Sequence, residues 1–343
     1  MKYNKNKFFN FKKIDKIKQI KMFKKKIKIA TRNSPLAIIQ AEYVRKKIQH
    51  IYPKINIELL PVITKSNEIS KKILNNQLNK EIFVKNLEIA LLKKDADLAV
   101  HSVKDLSTKL PDGLILTAIC KRDNPLDAFI SNNYKTIESL IEGSIIGTSS
   151  PRRKSQLLNY KKNIFIKPIR GNIETRLKLL DLGKYDAIIL AVAGLKRLGL
   201  KNRINQIIST NISLPSGGQG AIGIECLINN YKIISLLKKI NHKDSEILIK
   251  AERSFNKELN SGCQLPIGSY AKLKNNKICL KGIIGSINGT YLIKGKQIGN
   301  KQQANIIGKK LAKKIIKNGG KKIIKSFIKK KYDNINIKTT PIR

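Results

Sequence analysis

Residues 26–31, KIKIAT, combine β-branched and apolar positions in the short run of a strand. The stretch that follows, RNSPLAIIQAEYVRKKIQ, repeats its apolar positions at helical spacing. Ser34 is suited to cap that helix and Pro35 to open it, since a first-turn N–H has no partner to lose. A strand is predicted at INIELLPVI, a polar stretch at 65–80, a helix near 82–94 and a strand at ADLAVHSV. GSIIGTSSPRRKSQLLN, residues 143–159, repeats the opening device: strand, small hydroxyl residues, proline, helix. Here Ser150 is the expected cap and Pro151 the first helical residue. IKPIRGNIETRLKLL gives another strand, turn and helix, and YDAIILAVAGLKRLGL a further strand ending at Arg197.

From about residue 243 the pattern changes. SEILIKAERSFNKEL is predicted helical, ICLKGIIGS and TYLIKGKQIG read as paired strands around an INGT turn, and QANIIGKKLAKKIIKNG as a last helix. Strands alternating with helices predict an α/β fold with largely parallel sheets, followed by a smaller α+β domain.

Composition narrows the function. The chain has 343 residues, 41% of them hydrophobic, and its longest apolar run, near 187–195, falls well short of a bilayer span of ~20 residues. A net charge of +47, from 70 Lys and Arg against 23 Asp and Glu, invites a nucleic-acid reading. Lysine, isoleucine and asparagine crowd every segment, however, which reads as a solvated lysine-rich surface. The arginines are more informative. There are eleven, and Arg152, Arg153, Arg170, Arg176 and Arg197 fall within one stretch of the chain. Arginine kept in a lysine background suggests a need for planar, bidentate contacts to carboxylate or phosphate.

Arg152 and Arg153 occupy the first turn of a helix, where cations oppose the helix dipole unless an anion lies between them. With Thr148, Ser149 and Ser150 they form an expected anion cradle, at the strand ends where α/β sheets bind ligands. The four cysteines, at 120, 226, 263 and 279, show no metal-ligand or redox spacing, and no metal site is expected. Their pattern points to a reducing compartment. Cys263, in LNSGCQLPIG, is left open between a small buried hydrophobe and a functional thiol. Residues 1–21 are basic but lack an apolar core and cleavage site, and read as a disordered extension or an upstream start before Met22.

The motifs IATRNSPLA, AVHSVKDL, GTSSPRR, RGNIETRL, DAIILAVAGLKRLGL, LPSGGQGAIGIE and SGCQLPIGSYA, in this order, resemble the porphobilinogen deaminase (hydroxymethylbilane synthase) family from about residue 26 to 290. The resemblance implies two lobes like periplasmic binding proteins plus a small C-terminal domain. The expected division is 22–120 with 221–238, then 121–220, then 243–343. It implies a dipyrromethane cofactor attached through Cys263, assembled from the enzyme's own substrate, and head-to-tail joining of four porphobilinogen molecules with release of ammonia.

By the same resemblance Asp105 would be catalytic, and Arg32, Ser34, Lys104, Thr148, Ser149, Ser150, Arg153 and Arg176 would hold the cofactor. Arg32, Arg152, Arg170, Arg176 and Arg197 would bind substrate carboxylates. A cytoplasmic monomer with no nucleic-acid or membrane partner is expected. The competing expectation is a two-lobe anion-binding protein without catalysis. One stretch departs from the family pattern: Ser66, Asn67, Leu78 and Asn79 stand where glycines and a Gly-Asp pair are usual, with Lys80 kept.

Overall fold

The computed structural model describes residues 26–62, 76–259 and 265–327, with backbone alone for 76–83. Cys263, the residues 1–21 and the 65–75 part of the departing stretch lie outside them. The chain forms two compact units. Unit 1 holds the described residues up to His101, with Leu110–Cys120 and Ile222–Asn241; unit 2 holds Ser102–Lys109, Lys121–Ala221 and the described residues from His242 on.

Unit 1 is built on one five-stranded sheet, in the order β2 (Ile57–Val62), β1 (Ile27–Arg32), β3 (Leu98–Ser102), β10 (Ile222–Leu227) and β4 (Leu114–Ile119). β1 runs parallel to β2 and β3, while β10 and β4 are antiparallel. Helix α1 (Pro35–Ile51) buries Ala41, Val44 and Ile48 against Ile27, Ile29, Leu98 and Ile224. On the opposite face α2 (Asn76–Leu92) packs Leu87 and Leu91 against Ala30 and Ala99. Alternate residues of β1 thus serve two cores, as the two-residue period of a strand requires.

Unit 2 contains two sheets. The larger runs β7 (Phe165–Lys167), β6 (Ile145–Gly147), β8 (Ala187–Ala191), β5 (Asp127–Ile130) and β9 (Gln206–Ile207). β6 is parallel to both β7 and β8, and β5 is antiparallel to β8 and β9. The helices that flank it are α3 (Pro151–Tyr160) and α4 (Ile173–Asp181). The smaller sheet is the antiparallel meander β11 (Ile267–Lys274), β12 (Lys277–Gly285) and β13 (Leu292–Asn300). Its apolar face is covered by α7 (Lys243–Glu258) and α8 (Ala304–Ile315) through Phe255, Leu280, Ile284, Leu311 and Ile315. No helix among the described residues is long and apolar enough to cross a membrane.

Two expectations are corrected. The helix expected near 82–94 begins at Asn76, because polar residues that read as loop continue its first turns. Arg197 lies not on a strand but at the end of the short helix α5 (Val192–Arg197), which follows β8 directly. A continuous apolar run does not distinguish a buried strand from a buried helix.

Within unit 2, Glu252 of α7 is fully buried and accepts four N–H bonds. Two come from the Arg122 guanidinium at 2.7 and 3.0 Å, one from the Gly218 amide and one from the Ala271 amide, each at 2.8 Å. It ties α7 to the turn at 218–221. Glu252→Gln would leave Arg122 as a buried cation without a counter-charge, and is expected to destabilise the protein by about 3–5 kcal/mol. Chemical denaturation checks this; a loss below about 1 kcal/mol, the range of exposed pairs, would contradict it.

Candidate active site

The two helix-start devices form as the sequence implies. Ser34 accepts the Ala37 amide with Pro35 as the first helical residue, and Ser150 accepts the Arg153 amide with Pro151 in the equivalent place. Ser149 clasps the backbone of Ile169, donating to its carbonyl at 2.8 Å and accepting its amide at 3.1 Å. Thr148 is buried, and its hydroxyl accepts the Ser150 amide. These hydroxyls shape the turn before α3.

The anion between Arg152 and Arg153 comes from the protein itself. Asp127, fully buried on β5, receives Arg152 at 2.8 and 3.3 Å and Arg153 at 2.7 and 3.1 Å. Arg152 also donates to the Leu214 carbonyl at 2.6 Å, and Arg153 to the Ile189 carbonyl at 2.7 Å. Both forks, which the sequence assigned to substrate (Arg152) and to cofactor (Arg153), are buried and engaged by protein acceptors. Burial opposes ionisation of Asp127, but the two guanidiniums outweigh it and hold the carboxyl far below the usual aspartate range.

Lys104 and Asp105 lie on a single 3-10 turn, Val103–Asp105, that directly follows β3. Val103 donates its amide to the Ala221 carbonyl, and Lys104 Nζ lies 3.4 Å from Gln219 Oε1. Gln219 in turn donates to Asp127 at 2.9 Å and to the Pro125 carbonyl at 2.7 Å. One hydrogen-bonded chain thus runs from the Asp105 turn to the buried arginine pair.

Gly218 and Gly220 both sit at positive φ, and a Cβ on them would come 2.6 Å from Val103 Cγ1 and 2.5 Å from the Asp123 carbonyl. Glycine alone permits this approach.

Arg176 lies in the first turn of α4, capped by Asn172, and its Nε donates to the Gly171 carbonyl at 2.9 Å. Among the described residues its terminal nitrogens have no hydrogen-bond acceptor. Burial lowers its affinity for a proton and Arg153 adds to that, whereas Asp105 opposes both. Asp105, Arg153 and Arg176 therefore share one electrostatic neighbourhood. Arg197 donates to the Gly220 carbonyl at 2.7 Å, Arg170 is exposed, and Arg32 is half-buried in unit 1.

Unit 2 thus gathers Lys104, Asp105, Arg153, Arg176 and Arg197 around the 218–221 turn and the start of α4. Sequence reading missed Asp127, Gln219, Arg122 and Glu252. Gln219 stands inside the quoted LPSGGQGAIGIE motif, but no spacing rule links it to residues 92 or 115 positions away.

An unfolded aspartate takes up its proton near pH ~3.9, and folded Asp127 does so only at lower pH. Its contribution to stability is complete above that value and is lost as pH falls below it towards the folded value. Asp127→Asn is expected to cost about 3–5 kcal/mol at pH 7 by leaving two buried cations. The gap between parent and variant should narrow below about pH 4; a gap constant with pH, measured by denaturation across the acid range, would contradict the assignment.

Comparison with known proteins accounts for this arrangement. Residues 27–235 match the model of the porphobilinogen deaminase dipyromethane cofactor binding domain, and residues 247–317 that of the porphobilinogen deaminase C-terminal domain. Porphobilinogen deaminases of Buchnera aphidicola subsp. Acyrthosiphon pisum, strains Tuc7 and APS, are each 51% identical over 312 residues, 91% of this chain and 99% of theirs. Among solved structures, the VFT2 domain of Bordetella pertussis BvgS is similar with a TM-score of 0.41 at 13% identity, over 68% of this chain and 97% of that one. With both family models matched in order and half of all residues shared along almost the full length of these relatives, the chain belongs to the porphobilinogen deaminase family.

Proposed function

We propose that Asp105 carries the chemical step of this family's reaction, with Arg176, Arg170, Arg197 and Lys104 of unit 2 and Arg32 and Ser34 of unit 1 as carboxylate-binding groups. The enzyme is a transferase of tetrapyrrole (haem) biosynthesis that joins four porphobilinogen molecules head to tail into hydroxymethylbilane, releasing ammonia at each addition. Its cofactor is dipyrromethane, bound covalently to a cysteine. In this reading Cys263, within SGCQLPIG, is that cysteine.

The residues present suit such a group. Each ring carries an acetate and a propionate, and the Arg176 fork has terminal nitrogens without an acceptor among the described residues. When bound, the dipyrromethane supplies the primer ring to which the first substrate unit is joined.

The observation that carries the reading is the Val103–Asp105 turn, tied through Lys104 and Gln219 to the carboxylate that holds the buried arginine pair. In this reading the guanidiniums bind the acidic side groups of a pyrrole and leave the Asp105 carboxylate to its ring nitrogen. As ammonia leaves the protonated aminomethyl group of porphobilinogen with the C–N bond pair, the positive charge spreads over the substrate pyrrole and its nitrogen. A fixed carboxylate facing the pyrrole N–H stabilises that charge, the inverse of an oxyanion hole. After the new carbon–carbon bond forms, the attacking ring must lose a proton, and Asp105 is the base at hand.

We further propose a cytoplasmic monomer with no nucleic-acid or membrane partner. Lysine scattered through every segment, rather than gathered on one motif, supports this reading. The division of unit 2 into a second lobe and a small third domain follows its two sheets.

Two experiments test the proposal. The intact mass of the purified protein is expected to exceed that of the polypeptide by one dipyrromethane, and Cys263→Ser to lack both the added mass and activity. An unmodified, fully active protein would exclude the covalent primer and leave an anion-binding protein or a different enzyme. Asp105→Asn is expected to lower kcat by about 10²–10³ with KM little changed, because its effect is greatest in the charged transition state. Near-normal kcat with a raised KM would make Asp105 a binding residue.

A further inference from the structure

The chain passes from one unit to the other at residues 101–102 and 221–222. β3 ends at Ser102 and lies next to β10, which begins at Ile222. Just beyond, within unit 2, the pairing continues: the Val103 amide donates to the Ala221 carbonyl at 3.1 Å. The Lys104–Asp105 turn is mounted on this pair, and Gly218 packs under Val103.

Inside unit 1 the same two strands carry an ionisable pair that the chemistry above does not use. His101 Nε2 lies 3.0 Å from Glu225 Oε2, with the side chains 3% and 0% exposed. Neither His101 Nε2 nor either oxygen of Glu225 makes a well-directed hydrogen bond among the described residues. Glu88 of α2 is the third buried group: burial first, and Glu225 second, hold its carboxyl above the usual range, while His101 and Lys85 oppose them. An apolar pair would fill this space without the cost of burying a carboxylate. What the polar pair adds is a contact specific to one register, since a slip of one residue would turn its members to opposite faces of the sheet.

We propose that His101 and Glu225 are positioning residues for Asp105: their buried pair fixes the register in which β3 and β10 leave the sheet, and hence the seat of the Asp105 turn. His101 is four residues from Asp105, and Glu225 four residues from the Ala221 carbonyl that holds Val103. A misplacement of ~1 Å at a reacting group can cost on the order of 10²-fold in rate, so a pair that touches no substrate can still govern turnover.

This inference rests on Asp105 acting in the chemical step, and a double-mutant cycle separates the two. Glu225→Gln, with its cofactor confirmed by intact mass, is expected to lower kcat about tenfold or more while KM for porphobilinogen stays within about twofold. Glu225→Asp should recover part of the loss. In an Asp105→Asn background, Glu225→Gln should cost less than about twofold, because the group it positions is gone. Equal losses in both backgrounds, or a raised KM at unchanged kcat, would overturn the inference and leave Asp105 in its role. A parental kcat in Asp105→Asn alone would remove the Asp105 reading and the inference with it. Should Glu225→Gln not fold, the uncharged pair His101→Asn with Glu225→Gln is taken through the same cycle, and the same outcomes decide.

Discussion

The site in unit 2 depends on one buried anion. Two consecutive arginines at the start of a helix face the positive end of its dipole and each other, an arrangement that exposed side chains would relieve by turning to solvent. Here they are buried, and Asp127 of β5 stands between them. The carboxylate cancels the repulsion, stays ionised despite its burial, and accepts Gln219 as well. Through Gln219 its position is felt at Lys104, next to Asp105. The rigidity that a preorganised active site needs is thus supplied by a group that need never meet substrate.

The second constraint is backbone space. The turn from Gly218 to Ala221 receives bonds from four directions: its amide at Gly218 goes to Glu252, and its carbonyls accept Arg122, Arg197 and Val103 in sequence. Such convergence is possible because Gly218 and Gly220 present no side chain to Val103 and Asp123. Glu252 extends the connection to α7, which ends at Glu258. The turn that carries Asp105, the buried arginines and α7 therefore share one hydrogen-bonded frame.

Much of this was legible in the sequence where the signal is local. Helix starts at Ser34–Pro35 and Ser150–Pro151, the alternation of strand and helix, and the hairpin around INGT all follow from neighbours in the chain. The need for an anion beside Arg152 and Arg153 was also legible, because two first-turn cations demand one; its source was not. Asp127 lies 25 and 26 positions from its partners, in a stretch whose pattern says only that a strand is buried. The same holds for Glu252 with Arg122 and for His101 with Glu225, pairs separated by more than a hundred residues. Periodicity identifies the face a residue occupies, and only the fold identifies what waits on that face.

The central claim is that one carboxylate serves successive additions onto a chain held by the protein. Intact-mass measurement during turnover with limiting porphobilinogen tests it directly. A ladder of protein species is expected, each heavier than the last by one substrate unit less ammonia, that reaches four additions and returns to the starting mass on product release, and in Asp105→Asn the same ladder is expected to build about 10²–10³ times more slowly. Product appearing while the protein mass stays constant throughout would contradict it.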